Sequence, residues 1–180
     1  MSPAALLMER AGRGELVRSR RREHQRITVE NIVILVRDQA PLHRGNLELL
    51  GGYAYEDLIE NINRRIFFWP GTAAGPISYG VRHFERYREE APVILRINLE
   101  SLIRVNPDAE PKFCKYNSGS PRCSNGEKSP RGPNTFVAAA TFPGNPSSVV
   151  EVTFETSLIV PTDAKVGDHP NGPWREVVNG

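Results

Sequence analysis

The stretch Ser148-Val149-Val150-Glu151-Val152-Thr153-Phe154-Glu155 decides the fold. Val150, Val152 and Phe154 recur at every second position, the period of a strand with one face buried. Glu151 therefore stands mid-strand on the other face, with Val149, Thr153 and Glu155. A carboxylate placed there has to be hydrogen-bonded, paired or solvated by a cleft. Two readings follow. Either the strand has one solvated face, or it carries a fixed electrostatic catalyst.

Just upstream lies a long polar loop. It reads Tyr116-Asn117-Ser118-Gly119-Ser120-Pro121-Arg122 and continues through Lys128, Pro130, Arg131 and Gly132 to Thr135 and Phe136. Loops of this length inside a compact domain are uncommon, and those that occur are binding loops, lids or disordered segments. Cys114 and Cys123 flank its start and could be bridged, but nothing signals a disulfide framework, so free thiols are expected.

Further out, the chain alternates helical and extended stretches. Residues 2–24 read as a helix opened by Ser2-Pro3, with Leu6, Leu7, Leu16 and Val17 as its stripe and Gly12 and Gly14 weakening its middle. It runs into Arg18-Ser19-Arg20-Arg21-Arg22-Glu23-His24-Gln25-Arg26, either a solvated helix end or a contact for a phosphate backbone. Asn31-Ile32-Val33-Ile34-Leu35-Val36 suits a strand buried on both faces. Its exit, Arg37-Asp38-Gln39-Ala40-Pro41, reads as the edge of a site or as a turn held by an Arg37–Asp38 ion pair.

Residues 42–50 and 55–64 are expected as helices separated by Gly51-Gly52. Residues 65–69 form a short aromatic strand, with Phe67 and Trp69 on one face, serving as core or as a stacking wall for a flat ring. A helix is firmest over 79–90, a strand follows at 92–97, and Asn98 or Ser101 caps a short helix ended by Asn106-Pro107. Residues 112–116 and 136–140 read as weaker strands. One domain over 1–161 is expected, with 162–180 as a loosely held tail. Strands and helices mingle without an even βαβ rhythm, which argues α+β.

The bulk numbers exclude several classes. The net charge of +2 over 180 residues is too small for a global polycation, so any basic partner site must be local. The four histidines, His24, His43, His83 and His169, show no ligand-spaced pair, and no metal site is expected. No apolar run approaches a membrane span, and Met1 to Leu7 is too short for a signal-peptide core, so a cytoplasmic chain without membrane association is expected. The glycines form neither a phosphate-cradling loop nor a dinucleotide fingerprint.

Several motifs taken together resemble a known group. These are Val36-Arg37-Asp38-Gln39-Ala40-Pro41, Arg65-Ile66-Phe67-Phe68-Trp69, Asn117-Ser118-Gly119, Pro130-Arg131-Gly132, Thr135-Phe136 and the Val-Val-Glu-Val strand. Their order resembles a bacterial domain family of unknown function, itself distantly similar to the DarT-type ADP-ribosyltransferases. That similarity implies a split β-sheet core clamping NAD as substrate, with Glu151 as catalytic glutamate. Arg37 would hold the NAD phosphates, with Asp38 and Gln39 beside it, and Phe67 or Trp69 would stack on a ring. Asn117, Ser118, Arg122, Lys128 and Arg131 would read the acceptor, for which a nucleic acid is a reasonable candidate. A toxin- or defence-like role with a neutralising partner protein would fit the same group. The related proteins begin with an extra strand and helix bearing a Tyr-His or similar pair near the nicotinamide ribose, and this chain starts later.

Glycosidic cleavage of NAD passes through an oxocarbenium-like ribosyl cation that one carboxylate can stabilise. Glu155 lies about 13 Å further along the strand at roughly 3.3 Å per residue, which rules out a paired-carboxylate mechanism. The competing expectation is a non-catalytic module that grips nucleic acid or another partner through Arg18 to Arg26 and the loop cations, on a degenerate transferase fold.

Overall fold

The computed structural model describes residues 1–72 and 74–177. Mixed α and β structure fills them, with four α-helices and several small sheets.

Helix α1 (Ala4–Arg10) stops well before the 2–24 expected for it. The reason is local. Gly12 takes a positive φ of 69°, its N–H donates to Glu9 O, and Arg13 N–H donates to Met8 O, the paired bonds of a Schellman stop. A single 3-10 turn follows at Gly14–Leu16. Strands β1 (Gln25–Val29) and β2 (Ile32–Val36) then form a hairpin in which Val29 faces Ile32. Glu30 and Asn31 make its two-residue turn, both at positive φ, a conformation asparagine tolerates better than most residues.

The expectation of a strand buried on both faces fails for β2. Ile32, Val33 and Leu35 are 65%, 64% and 52% exposed, because the hairpin is a two-stranded ribbon with only one face on the core. That face packs Ile27, Val29 and Val36 against Ala5 and Met8 of α1 and against Val17.

The helix expected over 42–50 is also absent. A 3-10 turn at Arg44–Asn46 leads into β3 (Leu47–Leu49), which pairs in parallel with a strand from the long loop, so a distant partner overrides the local preference. Helix α2 (Tyr55–Asn63) forms as expected. Asp57 accepts a hydrogen bond from Ala54 N–H at its start (3.0 Å), and Leu58 and Ile59 are buried against Leu42 and Leu47.

The chain continues through β4 (Ile66–Phe68), β5 (Gly71–Thr72) and β6 (Gly75–Pro76) into α3 (Ser78–Tyr87). Strand β7 (Ile94–Arg96) precedes α4 (Leu99–Val105), whose cap Asn98 accepts from Ser101 N–H at 3.1 Å. Then come β8 (Lys112–Cys114), β9 (Ser129–Arg131), the partner of β3, β10 (Val137–Ala138) and β11 (Glu151–Phe154). Strands β12 (Lys165–Gly167) and β13 (Arg175–Glu176) follow, and residues 178–180 of the expected tail lie outside the described residues. β12 pairs with both β7 and β13, and Ala164 is fully buried, so this part of the expected loose tail is built into a sheet.

The sheet that positions the site has the order β10-β8-β11-β4, with β11 antiparallel to both neighbours. Val152 and Phe154 point into a core with Leu102, Ala109, Val149 and Leu158, flanked by Ile66, Phe68 and Phe113. The register Glu151↔Cys114 and Thr153↔Phe67 then fixes the opposite face. All four residues of β11 are buried, so that face is covered rather than solvated.

Candidate functional site

The covered face of β11 carries an unusual density of polar groups. Glu151 is 3% exposed and accepts a hydrogen bond from Ser118 N–H at 3.0 Å, which pins the start of the long loop onto the sheet. Arg131, 2% exposed, clamps the loop's two ends. Its Nη1 donates to Ser129 Oγ and Pro130 O (both 2.8 Å), its Nη2 to Asn117 O (3.0 Å), and its guanidinium lies 4.3 Å over the Tyr116 ring.

Arg65 is the second buried guanidinium. Two residues before Phe67, it shares that residue's face, donates to Glu155 at the strand end and lies 4.3 Å over the Phe136 ring. Lys112 also reaches Glu155, at 3.0 Å. Glu155 is thus occupied by cations and stands away from Glu151.

Burial sets the electrostatics. It pushes the Glu151 carboxyl from 4.5 to about 7, against the pull of Ser118 and of Arg131. It pushes the Cys114 thiol up to about 12, with the Glu151 charge adding to the effect. Arg131 and Arg65 are drawn below the ordinary arginine value by the same burial, opposed chiefly by Cys114 and Glu151 for the first and by Glu155 for the second.

Four buried side-chain atoms lack a hydrogen-bond partner among the described residues: Glu151 Oε2, Ser118 Oγ, Arg131 Nε and Arg65 Nε. All four belong to residues of this one polar layer. Buried polar groups are normally satisfied, so such a concentration marks the place where this fold departs from ordinary packing.

The other expected site residues lie elsewhere. Arg37 pairs with Glu90 (2.9 Å) and stacks 4.2 Å over Tyr87, not with Asp38 as a turn-holding ion pair would require. Asp38 faces His24 Nδ1 at 3.1 Å, and Gln39 donates to Asn63 Oδ1 at 3.2 Å. No hydrogen bond, ion pair or ring contact joins these three to the Glu151 layer among the described residues. Phe67 does lie on that face, edge-on to Phe136 with centroids 6.0 Å apart. Trp69 turns away and stacks on Tyr79 of α3. Arg122 and Lys128 are exposed, and both cysteines are free thiols, Cys114 buried and Cys123 exposed.

Sequence reasoning missed Arg65, Cys114 and Tyr116 as members of the layer. The signal for Arg65 was available, since period-two alternation puts it on the face of Phe67.

The basic run 18–26 is not a solvated helix end. Arg18 pairs with Asp57 and Glu60, and Arg21 is buried, donating to Arg37 O (2.9 Å) and Asn63 Oδ1 (3.0 Å). Two cavities are notable, of which only the second borders this run. One, of about 650 Å³, is lined by Arg65, Glu155, Tyr53, Asn61 and residues of α1 and α2. The second, of about 520 Å³, lies among Arg20, Arg22, His43 and Arg86. Glu151 lines neither. Among the described residues, no group of three His, Cys, Asp or Glu side chains is placed to hold a metal ion, and no helix is long and apolar enough to cross a membrane.

Fold and site together define a mixed α and β protein with a buried, arginine-flanked carboxylate on its largest sheet. The chain belongs to a family of unknown function, DUF7002, whose model matches residues 1–164. No curated protein and no solved structure matches it.

Proposed function

We propose that this chain is an NAD-dependent ADP-ribosyltransferase in which Glu151 is the catalytic carboxylate. The observation that carries the reading is the polar layer on β11: one carboxylate with a free oxygen, within the field of the buried Arg131 and beside a loop that it holds by hydrogen bond. In this reading the four-stranded sheet is one half of a split transferase core. Glu151 Oε2 accepts from a hydroxyl of the nicotinamide ribose. The glycosidic C–N bond breaks, nicotinamide leaves with the bonding electrons, and the ionised carboxylate stabilises the ribosyl cation. An acceptor nucleophile bonds to the same carbon and loses its proton. Arg37 would have to exchange Glu90 for the NAD pyrophosphate, a geometry suited to its planar fork. The loop from Asn117 to Arg131 would face the acceptor, an anionic one such as nucleic acid, and a neutralising partner protein would belong to the same biology.

A second reading, a binding module on a degenerate transferase fold, is favoured by the enclosure of Glu151, which is 3% exposed and lines neither cavity. Incubation with NAD, alone and with DNA, RNA or protein acceptors, separates the two when released nicotinamide and adduct mass are measured. The transferase releases nicotinamide, and Glu151→Gln reduces the rate at least about 100-fold while keeping the fold. A chain that neither binds nor consumes NAD is the binding module.

A further inference from the structure

We infer that the cleft among Arg20, Arg22, His43 and Arg86 is a binding site for phosphate groups, independent of whether Glu151 is catalytic. No carboxylate lines this cleft, and none of its three arginines makes an ion pair among the described residues. A concave surface lined by one sign of charge focuses its field and concentrates counter-ions.

The cleft is also built rather than incidental. Arg20 is held by two backbone carbonyls, donating from Nε to Gln39 O at 3.2 Å and from Nη2 to Ala40 O. Those neutral acceptors fix its direction and leave its charge uncompensated. Across the cleft, Asn46 Nδ2 donates to Pro121 O at 3.1 Å and fixes the wall formed by Ser120 and Pro121. Guanidinium forks match the paired oxygens of a phosphate, and His43 supplies a ring N–H donor in either protonation state.

The site adjoins the polar layer through the chain itself. Ser120 is two residues from Ser118, whose N–H holds Glu151, so their Cα atoms are within about 7 Å. A phosphate bound here sits beside the loop that covers the buried carboxylate.

Phosphate oxygens come from a small phosphate ester or from a nucleic-acid strand, and titration of the full chain distinguishes the two. The probes are inorganic phosphate, adenosine monophosphate and a single-stranded oligonucleotide. The variants are Arg22→Glu with Arg86→Glu, both exposed in the cleft, and Arg104→Glu with Lys165→Glu, both exposed outside the cleft and outside the loop. At least one probe binds the natural chain, the cleft variant weakens it about tenfold or more, and the Arg104→Glu with Lys165→Glu variant changes it less than about twofold. Oligonucleotide binding whose log–log salt slope shrinks by about 1.4 in the cleft variant, from two lost contacts at roughly 0.7 each, assigns the site to a phosphodiester strand. Equal affinity for the mononucleotide and the oligonucleotide assigns it to a phosphate ester. Failure of all three probes to bind, or equal losses in the two variants with their melting curves unchanged, overturns the inference.

Discussion

At the scale of single residues, Glu151 links stability to chemistry through one proton. Burial raises its carboxyl from 4.5 to about 7, so the folded chain holds that proton more tightly than the unfolded chain does. The resulting stabilisation is complete below about pH 4.5 and is lost as pH rises through about 7. At about 1.36 kcal/mol per pH unit, the whole span is on the order of 3 kcal/mol. Urea denaturation should show the natural chain losing stability across this window relative to Glu151→Gln, which has no such proton; parallel pH profiles would refute the assignment. Arg131 is the complementary test. Arg131→Ala removes three hydrogen bonds and strips Glu151 of the buried cation that favours its ionised form, and should cost about 3 kcal/mol in the same assay near neutral pH, when Glu151 is partly ionised. A loss under about 1 kcal/mol would mean that the loop holds without it. Glu151, Ser118 and Arg131 were legible in sequence because a strand's alternation and a loop's composition are local signals. Their mutual contact was not, since Arg131 reaches Asn117 across 14 residues of loop.

Among elements, the basic run shows how chemistry of one kind divides by position. Arg21 bridges the hairpin to α2 from a buried site, while its neighbour Arg22 is exposed. Arg21→Ala should therefore cost about 2–3 kcal/mol and Arg22→Ala less than about 0.5, measured by chemical denaturation. Equal effects would contradict the bridge. The β1–β2 ribbon supports a further contrast. Val33→Thr and Leu35→Thr should each change stability by less than about 0.5 kcal/mol, because the side chains stand in solvent; a cost above about 1.5 would place them in a core. Apolar content alone suggested burial for this strand, and periodicity within five residues could not say that the ribbon has a single packed face. Helix α2, strand β4 and strand β11 were legible because their patterns and their partners agree. Helix α1 was overextended because Gly12 acts as a stop, a role that depends on where the preceding turn ends.

For the molecule as a whole, small sheets replace one extended sheet, and separate apolar clusters serve the ribbon, α2 and the β11 sheet. Strands of two to five residues give weak local signals, so pairings such as β3 with β9 or β7 with β12 come from tertiary contact and escape a linear reading. The pairing of β12 predicts that a chain ending at Pro161 loses about 2 kcal/mol or more, seen as a lower melting temperature, because β7 loses its partner and the buried Ala164 is removed. An unchanged melting curve would show that this strand adds nothing. The polar layer, by contrast, is one shared feature, and its chemistry is tested most directly by the pH profile of nicotinamide release from NAD. If Glu151 must be ionised to stabilise the ribosyl cation, the rate rises through about pH 7 and levels off above it, and Glu151→Gln abolishes the rise together with the activity. Release that is absent from pH 5 to 9, or that survives in Glu151→Gln, would contradict a catalytic Glu151.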